Sequence, residues 1–411
     1  LRLPGQRFDA ETGLHYNRQR YYDPEHGQYL TPDPLGTPDG PNPYAYVAFS
    51  PLIYIDPDGL ILFAFDGTGN DESNLNTLSN VVAFRDLYLE GTPRYITGPG
   101  TVDNCDPNRP IDPADFKPWY IPLPANTADM GGNYSGPARI DRMVEYFNTY
   151  ATDVATDDSV AIDVDIIGFS RGAAQARDFA NRIVANTTNG WYRYVINGQT
   201  HCQKVNLRFL GLWDTVLSTN LSGYAYNLAI PDEFAYVAQA AALNEYRGGV
   251  VAFPAESILR APAPQGTTRI ERGFLGAHSD IGGGFPDGDL AKVALVWMVD
   301  QAKAAGVNMD EPNRTIIANP VIHDKSSNLL SGAPTGGPTA WSEDRDVRYA
   351  DSSVVKQRQT TDQGMTYADT VPFISYNPNP NTADNISGTV DMEGYLNWLN
   401  ANGYNINMTV Q

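Results

Sequence analysis

The chain has 411 residues and a formal net charge of −20, with 28 Lys and Arg against 48 Asp and Glu. So acidic a chain is not expected to bind nucleic acid, which requires a basic surface, or to attach electrostatically to anionic lipid. Apolar residues make up 42% of the sequence, which is enough for a large core and too many for a disordered chain. No apolar run reaches the roughly 18 residues that a membrane-spanning helix needs.

The sequence starts at Leu1 with neither a Met nor a signal-peptide pattern, which indicates the interior of a longer polypeptide. The two cysteines, Cys105 and Cys202, are too few for a disulfide scaffold and do not have the spacing of a zinc site. We expect two buried free thiols, with a single disulfide between them as the alternative.

Residues 1–60 are dense in Tyr, Pro, Asp and Gly. Asp-Pro and Pro-Asp-Gly steps, which form turns, separate short aromatic stretches such as 28–30 and 44–47. This pattern predicts one or two β-hairpin repeats from a larger all-β array. A segment of this size would bury too little surface to be stable alone.

The sequence pattern changes at residue 61. The apolar run 61–65 ends in a Gly-rich turn, which is typical of a buried strand in a parallel sheet. Apolar spacing predicts further strands at 160–167 and 205–212, and helices at 137–151, 173–184, 233–245, 290–305 and 392–402. The alternation predicts an α/β fold with a mostly parallel sheet flanked by helices. We expect a catalytic domain over 61–307 and a loop-rich appendage of that domain over 308–411.

The sharpest motif is G-x-S-x-G at 168–172, between a predicted strand and a predicted amphipathic helix. A nucleophile elbow requires this context, because small residues allow the sharp turn that raises Ser170 Oγ above the sheet. The positive end of the helix lies where an oxyanion would form, and the Arg171 N–H is the first candidate donor to it. The alternative interpretation is a purely structural strand–turn–helix.

A serine hydrolase also needs a histidine, and the sequence has five. His15 and His26 lie in the β-rich segment, and His201 precedes every plausible acid in the chain. His278 follows an apolar run and lies in a glycine-rich loop, where a catalytic histidine is expected. We predict His278 as the general base, with His323 as the alternative.

The acid is expected at the carboxyl end of a strand, which is the active edge of a parallel sheet. Asp214 meets this condition. Asp280 is the second candidate, but it lies two residues from His278 and is expected to shape the loop instead. Asp163 and Asp165 precede the elbow on its own strand and are poorly placed. In the predicted mechanism the histidine takes the proton of Ser170, the acid fixes the imidazole tautomer, and an acyl-enzyme forms and is hydrolysed.

The loop after the first parallel strand should supply the second oxyanion donor, from Gly67 or Thr68. This loop lacks the lysine and the glycine spacing of a nucleotide-binding loop, so no cofactor is predicted. No metal site is predicted either, because Asp287 and Asp289 would bind Ca²⁺ only with further oxygen ligands.

Four blocks of the sequence resemble the type VI secretion lipase effectors of the first group, and they stand in that family's order. The blocks are 65–70 (FDGTGN), 168–173 (GFSRGA), 213–216 (WDTV) and 276–284 (GAHSDIGGG). The resemblance covers about 61–350 and includes helices at 240–247 and 295–305. It implies an α/β-hydrolase with phospholipase activity against bacterial membrane phospholipids, and it carries the triad over as Ser170, Asp214 and His278.

Residues 1–60 resemble the C-terminal end of the core of Rhs (rearrangement hotspot) proteins. The matching pieces are 13–18 (GLHYNR), 20–24 (RYYDP) and 51–60, in which Pro51 precedes DPDGL. Rhs proteins enclose a C-terminal toxin in a β-shell, so the resemblance implies that a toxin domain comes after this segment.

The last of these blocks resembles the self-cleavage motif of Rhs proteins, which implies cleavage between Leu60 and Ile61. The chemistry would be that of an aspartic protease, in which two carboxylates share a proton. Asp33 and Asp56 are the candidate pair, with Asp58 third. The alternative is that these aspartates only cap turns.

The sequence therefore predicts the toxin end of a secreted antibacterial Rhs effector that is a serine phospholipase. The implied partners are the membrane phospholipid substrate, the rest of the Rhs shell, an immunity protein and a secretion carrier, but no nucleic acid. Delivery would be to the periplasm or the inner-membrane face of target bacteria. The alternatives are an esterase that acts on non-lipid esters and a catalytically silent binding module.

Overall fold

The structure is a computed structural model, and facts about it refer to the residues it describes. These are 7–8, 12–17, 20–23, 26, 28–31, 60–73, 78–91, 93–154, 161–218, 220–245, 253–259, 262–286, 288–314, 317–323, 345–356, 374–375 and 386–410. Asp33, Asp56 and Asp58 lie outside these ranges, so the candidate cleavage pair is not part of the described structure.

A small antiparallel sheet forms the N-terminal part. Its four strands are β1 (Arg7–Phe8), β2 (His15–Asn17), β3 (Arg20–Asp23) and β4 (Gln28–Tyr29), and they pair in chain order. The buried rings of Tyr22 and Tyr29 meet edge to face, with centroids 6.1 Å apart. The predicted β-rich N-terminal segment is confirmed.

The central sheet has eight strands. They are β5 (Leu60–Phe65), β6 (Arg94–Ile96), β7 (Ile162–Phe169), β8 (Thr187–Thr188), β9 (Trp191–Ile196), β10 (Gln199–Trp213), β11 (Tyr236–Ala242) and, after β12 (Ala255–Glu256) outside it, β13 (Thr268–Phe274). The main path runs β13-β11-β10-β7-β5-β6, and every neighbouring pair on it is parallel. Strand β9 pairs antiparallel with the start of β10.

Helices cover both faces of this sheet. They are α1 (Asn80–Leu87), α2 (Pro113–Phe116), α3 (Ala125–Gly132), α4 (Gly136–Val154), α5 (Arg171–Ala185), α6 (His278–Gly282), α7 (Ala291–Ala304) and α8 (Met392–Ala401). On β5, Phe63 and Phe65 pack toward α4 and α5, whereas Leu62 and Ala64 pack toward α1 and α7. The continuous apolar run of β5 is thus buried on both faces, and the predicted α/β class is confirmed.

One predicted helix is wrong. Residues 236–242 form the parallel strand β11 between β10 and β13, although the sequence predicts a helix over 233–245. The helix expected over 240–247 is wrong as well, because 240–242 belong to β11 and 243–245 are not helical. Residues 246–247 lie outside the described residues. This Ala-rich segment has high helix propensity, but pairing with strands on both sides outweighs it.

The first residue of β5 is held by the sheet and by its surroundings. Leu60 pairs with Asp163 of β7, and the Tyr150 hydroxyl donates to the Leu60 carbonyl over 3.0 Å. Gly91 approaches so closely that a Cβ there would collide with the same carbonyl. The Leu60–Ile61 bond therefore lies within the fold of the central sheet, and Ile61 is fully buried.

The described C-terminal residues add small sheets and a helix. The strands are β14 (Val321–His323), β15 (Asp346–Arg348), β16 (Val354–Lys356), β17 (Ile374–Ser375) and β18 (Ile386–Val390). Tyr395 and Leu399 of α8 enter the core that contains α7, and the Tyr395 hydroxyl accepts the Leu275 N–H over 2.9 Å. This part of the chain shares its core with the central sheet.

Both cysteines, Cys105 and Cys202, are free and exposed. The expected burial and the alternative disulfide are therefore both wrong. Among the described residues, no helix combines the length and the apolar character needed to cross a bilayer.

Candidate active site

Ser170 lies in the turn between β7 and α5. Its backbone has φ 61° and ψ −130°, a strained conformation for a residue with a side chain. Gly172 allows this turn, because a Cβ there would collide with the backbone of Asp66 at the end of β5. In the sheet, β6 lies on one side of β5 and β7 lies on the other, so the strand order reverses between β5 and β7. Ser170 follows β7 and therefore lies at this switch point, where open parallel sheets bind ligands.

Three predicted residues form a hydrogen-bonded chain. Ser170 Oγ lies 2.7 Å from His278 Nε2, and His278 Nδ1 lies 2.6 Å from Asp214 Oδ2. A carboxylate only accepts, so Nδ1 carries the proton, and Nε2 of the neutral ring accepts from the serine hydroxyl. All three side chains are buried. The arrangement can activate a serine for acyl transfer.

Asp214 lies directly after β10 with a φ of 41°, another strained backbone position. Its N–H donates to the Ala240 carbonyl of the neighbouring strand over 2.7 Å, and Ala242 N–H donates to its Oδ1 over 2.9 Å. The Ser170 N–H donates to Trp213 O over 3.0 Å. Adjacent strand ends thus bring the serine and the aspartate to one edge of the sheet.

A side chain that the sequence did not predict completes the environment of Asp214. Arg345 forms two bonds to this carboxylate, Nη1 to Oδ1 over 2.7 Å and Nη2 to Oδ2 over 2.8 Å. Burial by itself would raise the pKa of Asp214, but the charge of Arg345 and the bond from His278 hold it well below its usual value. No local motif marks Arg345, which lies far from Asp214 in sequence.

His278 is the first residue of α6 and not part of an open loop as expected. Its N–H donates to Glu245 Oε2 over 3.2 Å, which fixes the start of this short helix. The ring contacts Phe169, at a centroid distance of 4.7 Å, and Phe253, at 4.9 Å. The imidazole is thus held by hydrogen bonds at both ring nitrogens and by contacts with two aromatic rings.

The two alternative residues, His323 and Asp280, pair with each other. His323 Nδ1 lies 2.7 Å from Asp280 Oδ1, and both side chains are buried. Asp280 Oδ2 accepts the backbone N–H groups of Ala277 and His323, over 2.9 and 3.0 Å. Burial raises the pKa of Asp280, and its bonds to His323 offset only part of that rise. This pair braces the loop before His278.

The other residues weighed for the triad lie elsewhere. Asp165 lies in the middle of β7, where it bonds to Tyr88 over 2.9 Å and to Arg208, and Asp163 is the second residue of that strand. His201 stacks on Tyr194 in the β9–β10 hairpin. His26 Nδ1 lies 2.7 Å from Asp23 in the N-terminal sheet, and His15 lies on β2 of the same sheet.

The loop after β5 lies beside the elbow. The Gly67 N–H donates to Asp66 Oδ1 over 2.7 Å, which favours Thr68 over Gly67 as the second oxyanion donor. The Arg171 guanidinium joins this loop to its surroundings by bonding Thr68 Oγ1 over 3.1 Å, Ser218 O over 3.0 Å and the Met130 carbonyl. Arg171 therefore has a bracing side chain in addition to the backbone N–H considered from the sequence.

A cavity of about 530 Å³ lies on the other side of α6, lined in part by Ser79, Ser279, Gly283 and Phe285. The triad side chains do not line it. Within the described ranges, no group of three or more His, Cys, Asp or Glu side chains could hold a metal ion.

Comparison with known proteins finds a family match in the central part. Residues 185–301, a little over a quarter of the chain, match the family described as T6SS, Phospholipase effector Tle1-like, catalytic domain. The matched stretch includes Asp214 and His278 and begins after Ser170.

The N-terminal region has different relatives. It is 55% identical over 62 residues to the toxin protein Tse5 of Pseudomonas aeruginosa, and 50% identical over 60 residues to the probable deoxyribonuclease RhsA of Dickeya dadantii. Each match covers 15% of this chain but only 5% of Tse5 and 4% of RhsA, so the chain spans a small part of these relatives.

A solved structure, the Tle1 effector bound to the VgrG spike from the type 6 secretion system, is 19% identical with a TM-score of 0.41. The match covers 62% of this chain and 74% of that one. The chain thus joins a region similar to Rhs-type toxins to a region similar to the catalytic domain of Tle1-like phospholipase effectors, and the resemblances predicted from its sequence are confirmed.

Proposed function

We propose that this chain is the toxin end of a type VI secretion effector and that it hydrolyses ester bonds of membrane phospholipids. The observation that carries the proposal is the continuous hydrogen-bonded chain from Ser170 Oγ through His278 to Asp214. The match of 185–301 to Tle1-like phospholipase effectors supports the lipid as substrate.

In the proposed mechanism, His278 Nε2 takes the proton of Ser170 while Oγ bonds to the ester carbonyl carbon. The N–H groups of Arg171 and Thr68 receive the oxyanion of the tetrahedral intermediate. The ester C–O bond then breaks, and the proton passes from His278 to the departing lysolipid. Water attacks the acyl-enzyme with the same base, which releases the fatty acid and restores Ser170.

Exposed apolar side chains on and beside α3, the helix that contacts Arg171 and the loop after β5, favour a lipid surface over a soluble ester. Trp119 and Tyr120, between α2 and α3, are 93% and 65% exposed, and Leu221 is 59% exposed. Met130 of α3 is also exposed, and its side chain packs over Gly69 in the loop after β5. Trp and Tyr favour the boundary between water and lipid, so these residues would contact the membrane around the substrate.

The N-terminal part is proposed to be the end of an Rhs shell, over 1–60. The catalytic domain would cover 61–307, with 308–411 as its appendage. The Rhs-like segment is shared with a probable deoxyribonuclease, which supports the view that the activity resides in the domain C-terminal to that segment. Cleavage between Leu60 and Ile61 would release the enzyme from the shell, as the resemblance implies.

Within the cleavage proposal, Asp33 and Asp56 would supply the carboxylates. Further proposed partners are the rest of the shell, a secretion carrier and an immunity protein. Delivery would be to the periplasm or the inner-membrane face of the target cell.

Vesicle hydrolysis tests this function. The purified protein should release fatty acid and lysolipid from mixed phospholipid vesicles, and Ser170→Ala should release neither. Ser73→Ala is the matched control, because Ser73 is an exposed serine on the loop after β5 that bonds to Asp71. Equal release by the parent and Ser170→Ala would contradict the proposed nucleophile.

The alternatives separate in the same assay. Hydrolysis of soluble p-nitrophenyl esters without release from vesicles would favour a non-lipid esterase. Failure of a fluorophosphonate probe to label Ser170 in folded protein would favour a silent binding module.

The double substitution Trp119→Ser and Tyr120→Ser tests the membrane contact. We expect about a tenfold loss of vesicle hydrolysis, because less apolar surface enters the lipid, with soluble-ester hydrolysis unchanged. Parallel losses on both substrates would contradict an interfacial role.

A further inference from the structure

The Arg345 side chain joins three segments beneath the triad. It is only 4% exposed, and besides its two bonds to Asp214 it donates from Nη1 to the Ala242 carbonyl over 3.0 Å and from Nε to the Phe253 carbonyl over 2.7 Å. Strand β15, which comes directly after Arg345, pairs in parallel with β12, which comes shortly after Phe253. The pairing of β12 with β15 thus fixes the backbone next to Arg345, and the hydrogen bonds fix its guanidinium.

Two of the groups that Arg345 holds contact His278 on different sides. Asp214 Oδ2 accepts from His278 Nδ1, and the Phe253 ring meets the imidazole edge to face. Arg345 makes its fork to Asp214 with both terminal nitrogens, a geometry that a lysine cannot reproduce. It can therefore set the position of the imidazole without touching the reacting atoms.

The charge of Arg345 also distinguishes Asp214 from the other carboxylate that binds a histidine. Asp214 and Asp280 are both buried and both accept from an imidazole, yet the pKa is lowered for Asp214 and raised for Asp280. The difference in charged partners is the Arg345 guanidinium, which faces Asp214. Arg345 therefore keeps Asp214 ionised and partly neutralises its field at His278.

We propose that Arg345 is a positioning residue of the triad, which orients Asp214 and Phe253 around His278 and limits how strongly Asp214 stabilises the protonated imidazole. This inference deepens the proposed function and rests on it. The proposed hydrolase site would then depend on a residue that lies C-terminal to the stretch 185–301, which matches the family.

The test compares Arg345→Met and Arg345→Lys with the parent protein. Proton NMR monitors the pH titration of the His278 Nδ1–H resonance, and hydrolysis of a soluble p-nitrophenyl ester gives kcat and KM per fluorophosphonate-reactive serine. Arg208→Met is the matched control. Arg208 is a largely buried arginine on β10, and it bonds to Asp165 Oδ1 at a distance of 3.0 Å. Neither residue belongs to the triad. The other charged groups near the triad stay the same in all variants: Arg171, Glu245, Glu271, Asp280 and His323.

For Arg345→Met we expect a kcat about 100-fold lower with KM little changed, because the imidazole is misplaced. We also expect the titration midpoint of His278 to rise by about one pH unit, since the charge of Asp214 is no longer offset. Arg345→Lys keeps the charge, so it should retain the parental midpoint and lose about tenfold in kcat. Arg208→Met should lower stability alone.

A parental midpoint in Arg345→Met, together with a parental kcat per reactive serine, would overturn the proposal. If Arg345→Met does not fold, Arg345→Lys provides the test. A parental kcat in Arg345→Lys would then overturn the proposal. The NMR titration needs no lipid hydrolysis, so a protein that fails on vesicles but shows these shifts would contradict the proposed phospholipase function while supporting the role of Arg345.

Discussion

The described residues include two buried His–Asp pairs, His278 with Asp214 and His323 with Asp280. The Nδ1-to-carboxylate distances are nearly the same, 2.6 and 2.7 Å. In the first pair the second ring nitrogen meets Ser170 Oγ. The ring of the second pair stacks on Phe285, at a centroid distance of 3.9 Å. The imidazole–carboxylate bond alone therefore does not make a catalytic site.

Two features accompany the first pair and not the second. Ser170 and Asp214 both have a positive φ, which is uncommon for residues with side chains and places their polar groups at the strand ends. Asp214 is in addition bound by a guanidinium, whereas Asp280 accepts from backbone N–H groups. The comparison shows that positive φ angles and an added charge accompany the pair that we propose to be catalytic, and that the other pair braces the loop before His278.

The largest expected difference between the pairs is in catalysis. Asp214→Asn should lower kcat by about 10⁴-fold, because an amide does not hold the imidazole tautomer that accepts from Ser170. Asp280→Asn should retain most of the parental kcat per fluorophosphonate-reactive serine. Ester hydrolysis by both variants at one temperature measures the contrast, and a large loss in Asp280→Asn would make the two pairs one catalytic unit.

The His323–Asp280 pair should contribute to the stability of the fold rather than to catalysis. His323→Ala removes a buried bond to Asp280 and the stack on Phe285, so we expect it to lower the free energy of unfolding by about 2–3 kcal/mol. Chemical denaturation measures this loss, with His26→Ala in the N-terminal sheet as an exposed control. An unchanged unfolding midpoint for His323→Ala would contradict the bracing role.

The pH dependence of stability should differ in sign between the two carboxylates. A lowered pKa means that Asp214 stabilises the folded state above 3.8, its ordinary value, and loses this effect only at lower pH. A raised pKa means that the ionisation of Asp280 destabilises the folded state as pH rises above 3.8.

Relative to the parent, Asp280→Asn should therefore become less stable as the pH falls from 7 to 4, because only the parent gains stability when Asp280 is protonated. The titration of the Asp214 carboxylate itself should add no such trend, because its pKa in the folded state lies below this interval. Urea unfolding of the parent and of Asp280→Asn at the two pH values measures this trend, and a constant difference between the two proteins would contradict the raised pKa of Asp280.

The smallest expected contrast concerns the aromatic rings. Phe253→Leu should lower kcat by about threefold to tenfold through small shifts of His278. Phe285→Leu should cost about 1 kcal/mol of stability and leave kcat close to the parental value. Kinetics and thermal unfolding of the two variants check this, and equal kinetic losses would contradict the division of roles.

The sequence predicts the elements of the site that local signals mark. Ser170 lies in a short motif between a strand and a helix, Asp214 ends an apolar strand, and His278 lies in a glycine-rich loop. The structure brings these three side chains within hydrogen-bond distance. Their catalytic roles stay a prediction, which kinetics of the Ser170 and Asp214 variants test.

Long-range pairing is what the sequence did not predict. Arg345 and Asp214 are 131 residues apart, and Asp280 and His323 are 43 residues apart, so no local pattern relates them. Strand β11 was missed for a similar reason, because its Ala-rich sequence favours a helix and only its two neighbouring strands make it extended.

The position of Leu60 has a consequence for the order of events in synthesis. Its carbonyl accepts from Tyr150 and faces Gly91, and the next residue is fully buried, so a carboxylate pair could not reach this peptide bond once β5 has joined the sheet. In a chain that is cut after Leu60, as proposed, cleavage would have to precede that step. Formation of the parallel sheet brings together distant parts of the chain and is slow. The fraction of cleaved molecules would then report the relative rates of two competing processes, bond cleavage in the shell and closure of the sheet around its first strand.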